Sequence, residues 1–346
     1  MTAMWETPID SPATWRAETL LENDGLVELD AVCLAEIDQA AKDLTNNPLP
    51  IEALKVSDVE MPACEVTMAR VRDHLENGIG FAVVDRLPVD RLDSDISKKL
   101  YWLLMSMTGR PVAQAWSGTM VYDVLDTGKK STAGSGIRSS KTNGGQSYHC
   151  DNTFNLPPDF VGLLCLQTAK KGGLSGLISL ETVYNLLLED FPTLLPRLYQ
   201  PFYYDRQGEH APADQRWSYK PVFEADGDRI NAYFNPRRVE HGYEMRGIKM
   251  DDETREAIRA LQEVSERSGL GKDFTFERGQ IQIANNKRLA HRRTAFRDWP
   301  EPERKRHLLR LWMNTGDRRP LPPEIHKFTQ GIYDDTTKFV TPLDAE

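Results

Sequence analysis

A β-rich centre with helices outside it is the fold class that this sequence predicts, and three stretches carry the prediction. Phe160–Gln167 is a short, almost wholly apolar run bounded by Pro157-Pro158 and Gly172-Gly173, the pattern of a buried strand. Gln280–Ala284 alternates polar and apolar residues as a strand does. Asp251–Glu266 is the clearest amphipathic helix, opened by acidic residues and closed by Ser268-Gly269. A chain of 346 residues can bury a large core, and its length alone permits one domain or two.

Taken in order, Leu34–Leu44 repeats its apolar residues at helical spacing and stops at Asn46-Asn47-Pro48. Cys64–Leu75 reads as a second helix ending near Asn77-Gly78. Gly80–Asp85, apolar and β-branched, reads as a buried strand. Arg91–Thr108 is a longer helical pattern closed by Gly109 and Pro111. The composition then changes. Gly128–Ser147 is built from Gly, Ser, Thr, Lys and Asn, so burial cannot offset the entropy of ordering it. It reads as a plain surface loop or, because it runs directly into His149, as an active-site lid. Past the Gly172-Gly173 turn, Leu174–Leu180 is followed by a helix over Glu181–Leu188 and a short one within Phe191–Tyr199. From Pro201 to Arg246, short strands are expected between turn residues such as Asp226-Gly227 and Asn235-Pro236. His307–Met313 is another strand candidate, and the proline-bearing tail after Asp317 reads as a strap over the surface.

Composition excludes some classes of function. The hydrophobic share of 40% and charged share of 27% are ordinary for a globular protein. A net charge of −9 without a dense basic tract argues against a nucleic-acid binder, and no apolar run approaches a membrane span. The N-terminus lacks the basic start and apolar run of a signal peptide. Four scattered cysteines (Cys33, Cys64, Cys150, Cys165) with no CxxC fit a reducing compartment better than a disulfide scaffold. The expectation is a cytoplasmic protein that acts on a small molecule; its oligomeric state, a homo-oligomer included, stays open.

The chemistry centres on Ser147–Asn155, where His149 and Asp151 stand two residues apart. In an extended segment such a pair shares one face and can give a metal two adjacent ligands. The plain alternative is a surface turn capped by Asp151. A two-histidine, one-carboxylate iron site needs a third ligand, to be found among His74, His210, His241, His291, His307 and His326. His291 has the best surroundings, just past the strand 280–284 and the turn-like Asn285-Asn286, although beside Arg292-Arg293 it also reads as a surface histidine. The stretch Arg306–Trp312 is ambiguous. As a strand it places Arg306, Arg310 and Trp312 on one face of an apolar element, where the arginines need anionic partners such as planar carboxylates. As an amphipathic helix it leaves both arginines in solvent.

Together these pieces resemble the TauD/TfdA family of Fe(II)/2-oxoglutarate-dependent dioxygenases. The resemblance runs from about Ser147 to Met313, with fainter similarity in Gly80–Asp85. It rests on His149-Cys150-Asp151, Phe154, Pro157-Pro158, Gly172-Gly173-Leu174-Ser175, the interval Asn286 to His291, and Arg306 with Arg310. It implies His149, Asp151 and His291 as iron ligands, and Arg306 with Ser175 on the distal carboxylate of 2-oxoglutarate. Serine stands at 175 where the family usually has threonine and keeps the hydroxyl donor. Arg310 matches an arginine that several members use for the substrate's own anion. Tyr148 replaces a frequent tryptophan, and with Phe154 it would shape the substrate pocket. Three protein ligands leave octahedral iron three sites, two for the keto acid and one for O2. The retained carboxylate argues against a halogenase. The resemblance therefore implies a mainly β protein with flanking helices, built on a double-stranded β-helix (jelly roll, cupin-like) core, as one catalytic domain. Residues 1–110 would form its N-terminal helical part with the first strand, 111–318 the jelly roll with a lid at 128–147, and 319–346 the C-terminal strap. The implied activity is hydroxylation, or a related oxidation such as desaturation, of a small anionic or zwitterionic, carboxylate-bearing substrate, with 2-oxoglutarate converted to succinate and CO2. A zinc hydrolase on the same ligands and a non-catalytic jelly-roll binding protein are the alternatives.

Overall fold

The computed structural model describes residues 4–46, 48–115, 117–129, 138–210, 214–227 and 229–316. The strap expected at 319–346 and the centre of the expected lid, 130–137, lie outside the described residues. The chain begins with β1 (Leu26–Glu28), α1 (Ala31–Asn46), α2 (Pro62–Glu76), β2 (Phe81–Asp85) and α3 (Ser94–Ser106). Then come β3 (Arg110–Val112), β4 (Tyr122–Val124), β5 (Gln146–His149), β6 (Phe160–Gln167), β7 (Lys171–Gly172) and β8 (Ser175–Ser179). Helices α4 (Leu180–Asp190) and α5 (Leu195–Leu198) lead to β9 (Phe202–Asp205), β10 (Trp217–Lys220), β11 (Phe223–Asp226) and β12 (Arg229–Ala232). The chain continues through α6 (Pro236–Arg246), α7 (Asp252–Ser265), β13 (Lys272–Phe274), β14 (Ile281–Asn285), β15 (Leu289–Arg293), β16 (Phe296–Arg297) and β17 (His307–Asn314).

Two sheets form the core. The larger runs β1-β2-β14-β6-β17-β3, with β4 also paired to β17, and the smaller runs β13-β8-β15-β5. Ser175 Oγ on the smaller sheet donates to Gln282 Oε1 on the larger one at 2.6 Å, so the two face each other as a double-stranded β-helix. Helices cover the larger sheet from outside: Ile37, Met68, Val71 and Leu104 join Leu164, Ile281, Leu309 and Leu311 in one hydrophobic cluster. A second cluster packs α4 and α7, through Val183, Leu187, Ile258 and Leu261, with Ile178 and Ala290 of the smaller sheet.

Strand β17 settles the ambiguity of its sequence. It pairs with β6 from His307 to Met313, and its alternation sends Leu309, Leu311 and Met313 into the helical layer. Arg310 and Trp312 take the other face, toward the space between the sheets.

The helices expected near 34–44, 64–75, 91–108, 181–188 and 251–266 are present, and their ends follow capping chemistry. Asp93 caps α3 through Asp95 N, and Asp251 caps α7 through Thr254 N. The expected β-rich stretch Pro201–Arg246 is corrected at its end, because Pro236–Arg246 is helix α6. Asn235-Pro236 is not a turn between strands. Asn235 accepts a hydrogen bond from Arg238 N at 3.3 Å, and Pro236 sits at the first helical position, where its missing N–H costs nothing. One pairing escaped the sequence as well: Cys33 and Cys64 form a disulfide that ties α1 to α2, with Cα atoms 5.0 Å apart, while Cys150 and Cys165 are free and buried. Among the described residues no helix is long and apolar enough to cross a membrane.

Candidate metal centre and the polar interior around it

Strand pairing brings the two histidines together. His149, the last residue of β5, lies directly opposite His291 on β15, and the ring centroids are 4.4 Å apart. Asp151 is not on the strand. It stands in the turn that follows, where its backbone is held at both ends by one side chain: Asn286 Oδ1 accepts from Asp151 N at 2.8 Å, and Asn286 Nδ2 donates to Asp151 O at 2.9 Å. Asp151 Oδ1 is thereby placed 3.8 Å from His149 Nε2 and 3.7 Å from His291 Nε2. One ligand atom from each of the three residues lies within 4.8 Å of the others.

The donor set fits a divalent iron. His149 Nδ1 lies 2.8 Å from Ser147 O, which fixes the tautomer that leaves Nε2 free to coordinate. Burial keeps both imidazoles neutral: it lowers His149 and, together with the neighbouring His149, brings His291 down from 6.5 to about 3. Burial alone would raise Asp151. The Arg310 charge, both imidazoles and the Trp312 hydrogen bond outweigh it and bring the acid from 3.8 to about 2. Two neutral nitrogens and one hard carboxylate on one side of an open position make a facial triad. Asp151 Oδ2 is occupied, accepting from Arg310 Nη1 and Trp312 Nε1, both at 2.8 Å. Arg310 is steadied in turn by Gln114, whose Oε1 accepts from Nε at 2.7 Å.

Farther along the interior the balance of charge reverses. Arg306 is 4% exposed, its Nη1 has no partner, and burial lowers it from 12.5 to about 10. Gly173 makes room for it: a Cβ there would lie 3.0 Å from Arg306 Nε, and its φ of 75° suits glycine. Ser175 Oγ is committed to Gln282 Oε1, which leaves Gln282 Nε2 buried without a partner. Arg293, paired directly with Ser175 across β15 and β8, is 6% exposed and has both Nε and Nη1 unpartnered. Burial and the nearby Arg306 charge lower Arg293 to about 10. Buried donors without acceptors are costly, so this end of the interior is shaped for an anion such as a dicarboxylate's distal group.

A cavity of about 470 Å³ opens beside the metal centre, bordered by His149, Asp151, Arg310 and Trp312. Tyr148 and Phe154 border it too, but at 4% and 5% exposure they belong to the hydrophobic cluster behind its wall. Arg138, Ser139 and Gly145–Ser147 line one side, so the described part of the expected lid reaches the cavity. The residues implied by the motifs, His149, Asp151, His291, Arg306, Ser175 and Arg310, thus converge on one interior. Four helpers escaped the sequence: Gln114, Gln282, Arg293 and Trp312. Arg293 carried a usable signal, because His291 and Arg293 share a face once Leu289–Arg293 is read as a strand.

Comparisons with known proteins agree with this geometry. The profile of the "Taurine catabolism dioxygenase TauD, TfdA family" matches residues 41–312. Over 336 residues the chain is 26% identical to FR-33289 synthase of Streptomyces rubellomurinus, covering 96% of this chain and 98% of that protein. It is 25% identical to the taurine hydroxylase-like protein SAT17 of Stachybotrys chartarum, over 84% of this chain and 75% of that one. Among solved structures, an asparagine oxygenase bound to Fe(II), 3-hydroxyasparagine and succinate superimposes with a TM-score of 0.64 at 18% identity, covering 84% of this chain and 94% of the other. The non-heme iron oxygenase OrfP with Fe and alpha-ketoglutaric acid gives 0.59 at 15% identity, over the same shares. The chain therefore belongs to the TauD, TfdA family and is an Fe(II)- and 2-oxoglutarate-dependent oxygenase.

Proposed function

We propose that the protein hydroxylates a small anionic or zwitterionic molecule, with His149, Asp151 and His291 as the iron ligands. Arg306 receives the distal carboxylate of 2-oxoglutarate together with Ser175, whose single hydroxyl proton turns from Gln282 Oε1 to the carboxylate when it binds, and Arg310 receives the substrate's anionic group. With iron and 2-oxoglutarate bound, reaction of the cosubstrate with O2 supplies the oxidising equivalents that break a substrate C–H bond. The residues of this chain do the rest. Asn286 and Arg310 fix Asp151 from two sides, and Ser147 O fixes the His149 tautomer. The buried donors at Arg306 and Gln282 hold the far end of the keto acid.

The observation that carries the substrate class is the arginine edge at the cavity wall. Of the four arginines that border the cavity, Arg138 is paired with Glu209, Arg238 with Asp205 and Arg310 with Asp151. Arg310 spends Nε on Gln114 and Nη1 on Asp151, which leaves Nη2 for a ligand. The 3-hydroxyasparagine and hydroxy-arginine ligands of the solved relatives support a zwitterion. The experiment is a screen of amino acids, their derivatives and sulfonates for compounds that stimulate succinate release. The reading expects stimulation by compounds that carry an acidic group. A screen in which only neutral compounds stimulate would contradict it.

Gly128–Ser147 closing over the cavity is part of the same proposal, and hydrogen exchange of this segment with and without the stimulating compound tests it. Slower exchange on binding is expected; unchanged exchange reduces the segment to a plain loop.

A further inference from the structure

Arg293 follows the metal centre by two positions, and nothing in the proposed function uses it. The β15–β8 register runs without a shift from Leu289↔Ser179 to Arg293↔Ser175, so the Arg293 side chain leaves the strand on the same face as His291, toward the interior. One nitrogen, Nη2, is fully engaged. It donates to Ser139 O at 3.3 Å, to Thr142 O at 2.9 Å and to Gly144 O. These carbonyls belong to the turn that feeds directly into β5 and His149. The other nitrogens, Nε and Nη1, are buried with no partner, as are Arg306 Nη1 and Gln282 Nε2. The Arg293 and Arg306 guanidinium carbons both lie close to the Phe296 ring, at 5.0 and 5.1 Å from its centroid. A structural clamp on the turn would require only Nη2. It does not explain a guanidinium edge that is kept dry, without a hydrogen-bond acceptor and next to a second arginine.

We propose that Arg293 is a second cosubstrate-binding arginine. Its free edge bonds the distal carboxylate together with Arg306, and its Nη2 holds the 139–144 turn. Filling the anion site thereby steadies the strand that carries His149. This rests on the assignment of 2-oxoglutarate as cosubstrate, so the test separates the two. Iron-loaded protein without oxygen is titrated with 2-oxoglutarate and with 2-oxobutyrate, a keto acid that lacks the distal carboxylate, and the affinities are read from the visible band.

Wild-type protein should prefer 2-oxoglutarate strongly; equal binding of the two acids would overturn the cosubstrate assignment itself. In Arg293→Gln that preference should shrink by about tenfold to a hundredfold, the effect of losing hydrogen bonds to a charged group, with iron content unchanged. Arg293→Lys keeps a cation and donors for the turn but loses the planar fork, so it should fold like wild type and shrink the preference by about tenfold. If either variant weakens both acids by the same factor and keeps the preference, Arg293 is a structural clamp and the inference is wrong.

Discussion

Around Asp151 a single carboxylate is ringed by an arginine, an indole N–H and two imidazoles, whereas around Arg306 and Arg293 the donors outnumber the acceptors. The two regions lie in the same space between the same sheets, yet one is satisfied except for a cation and the other lacks an anion. The comparison teaches what kind of molecule bridges them: its near end must coordinate the metal and its far end must carry negative charge. A 2-oxo dicarboxylate has that form. A zinc hydrolase would have no use for the unpaired arginine end.

The predictions probe each end in turn. The largest effect is expected at the metal. Alanine at His149, Asp151 or His291 should abolish turnover and iron retention while the fold persists, because two ligands hold iron weakly. Iron content after reconstitution decides this. Full occupancy in His291→Ala would hand the third position to another residue, and His241, which borders the same cavity, is the next candidate.

At the anion end the loss should be large but partial. Arg306→Gln should keep iron and weaken 2-oxoglutarate on the order of a hundredfold, the cost of a lost charge-assisted pair. An unchanged Michaelis constant for 2-oxoglutarate would show that the buried guanidinium serves only packing.

Arg310 touches the metal end and the substrate cavity, so it blurs the comparison in a measurable way. Its bond to Asp151 predicts that Arg310→Ala lowers iron affinity by about tenfold, as losses around a metal ligand do. Its free Nη2 predicts that substrate no longer stimulates succinate release while uncoupled turnover continues once iron is restored. If Arg310→Ala instead weakens 2-oxoglutarate as Arg306→Gln does, Arg310 belongs to the cosubstrate site.

The last and most gradual effect is in pH. In the metal-free protein His291 is held down to about 3, so between 6.5 and about 4 the unfolded chain binds a proton that the folded chain refuses. Stability should therefore fall as pH falls through that window, by about 1.4 kcal/mol per unit from this residue. Urea melts across the window should show a shallower slope in His291→Gln; parallel slopes would mean the folded imidazole titrates normally.

Local patterns made much of this legible. Phe160–Gln167 and Asp251–Glu266 appear almost as their sequences suggest, since strand alternation and helix capping act over a few residues. His149 and Asp151 were legible as a pair, although Asp151 reaches the site from a turn and not from the strand. Other contacts had no local trace. Asp151 meets Arg310 across 159 positions, and Ser175 meets Gln282 across 107, because β17 and β14 return to cross the same interior. Asn235-Pro236 was misread because the same dipeptide ends a strand or caps a helix, and only the residues packed behind it decide.

The central claim is that one interior holds iron at one end and the anion of 2-oxoglutarate at the other. Titrating anaerobic, Fe(II)-loaded protein with 2-oxoglutarate tests it most directly. A weak visible charge-transfer band should grow and saturate in wild type, need on the order of a hundredfold more 2-oxoglutarate in Arg306→Gln, and be absent in Asp151→Ala. A band that forms equally well in Arg306→Gln, or that survives in Asp151→Ala, would contradict the account.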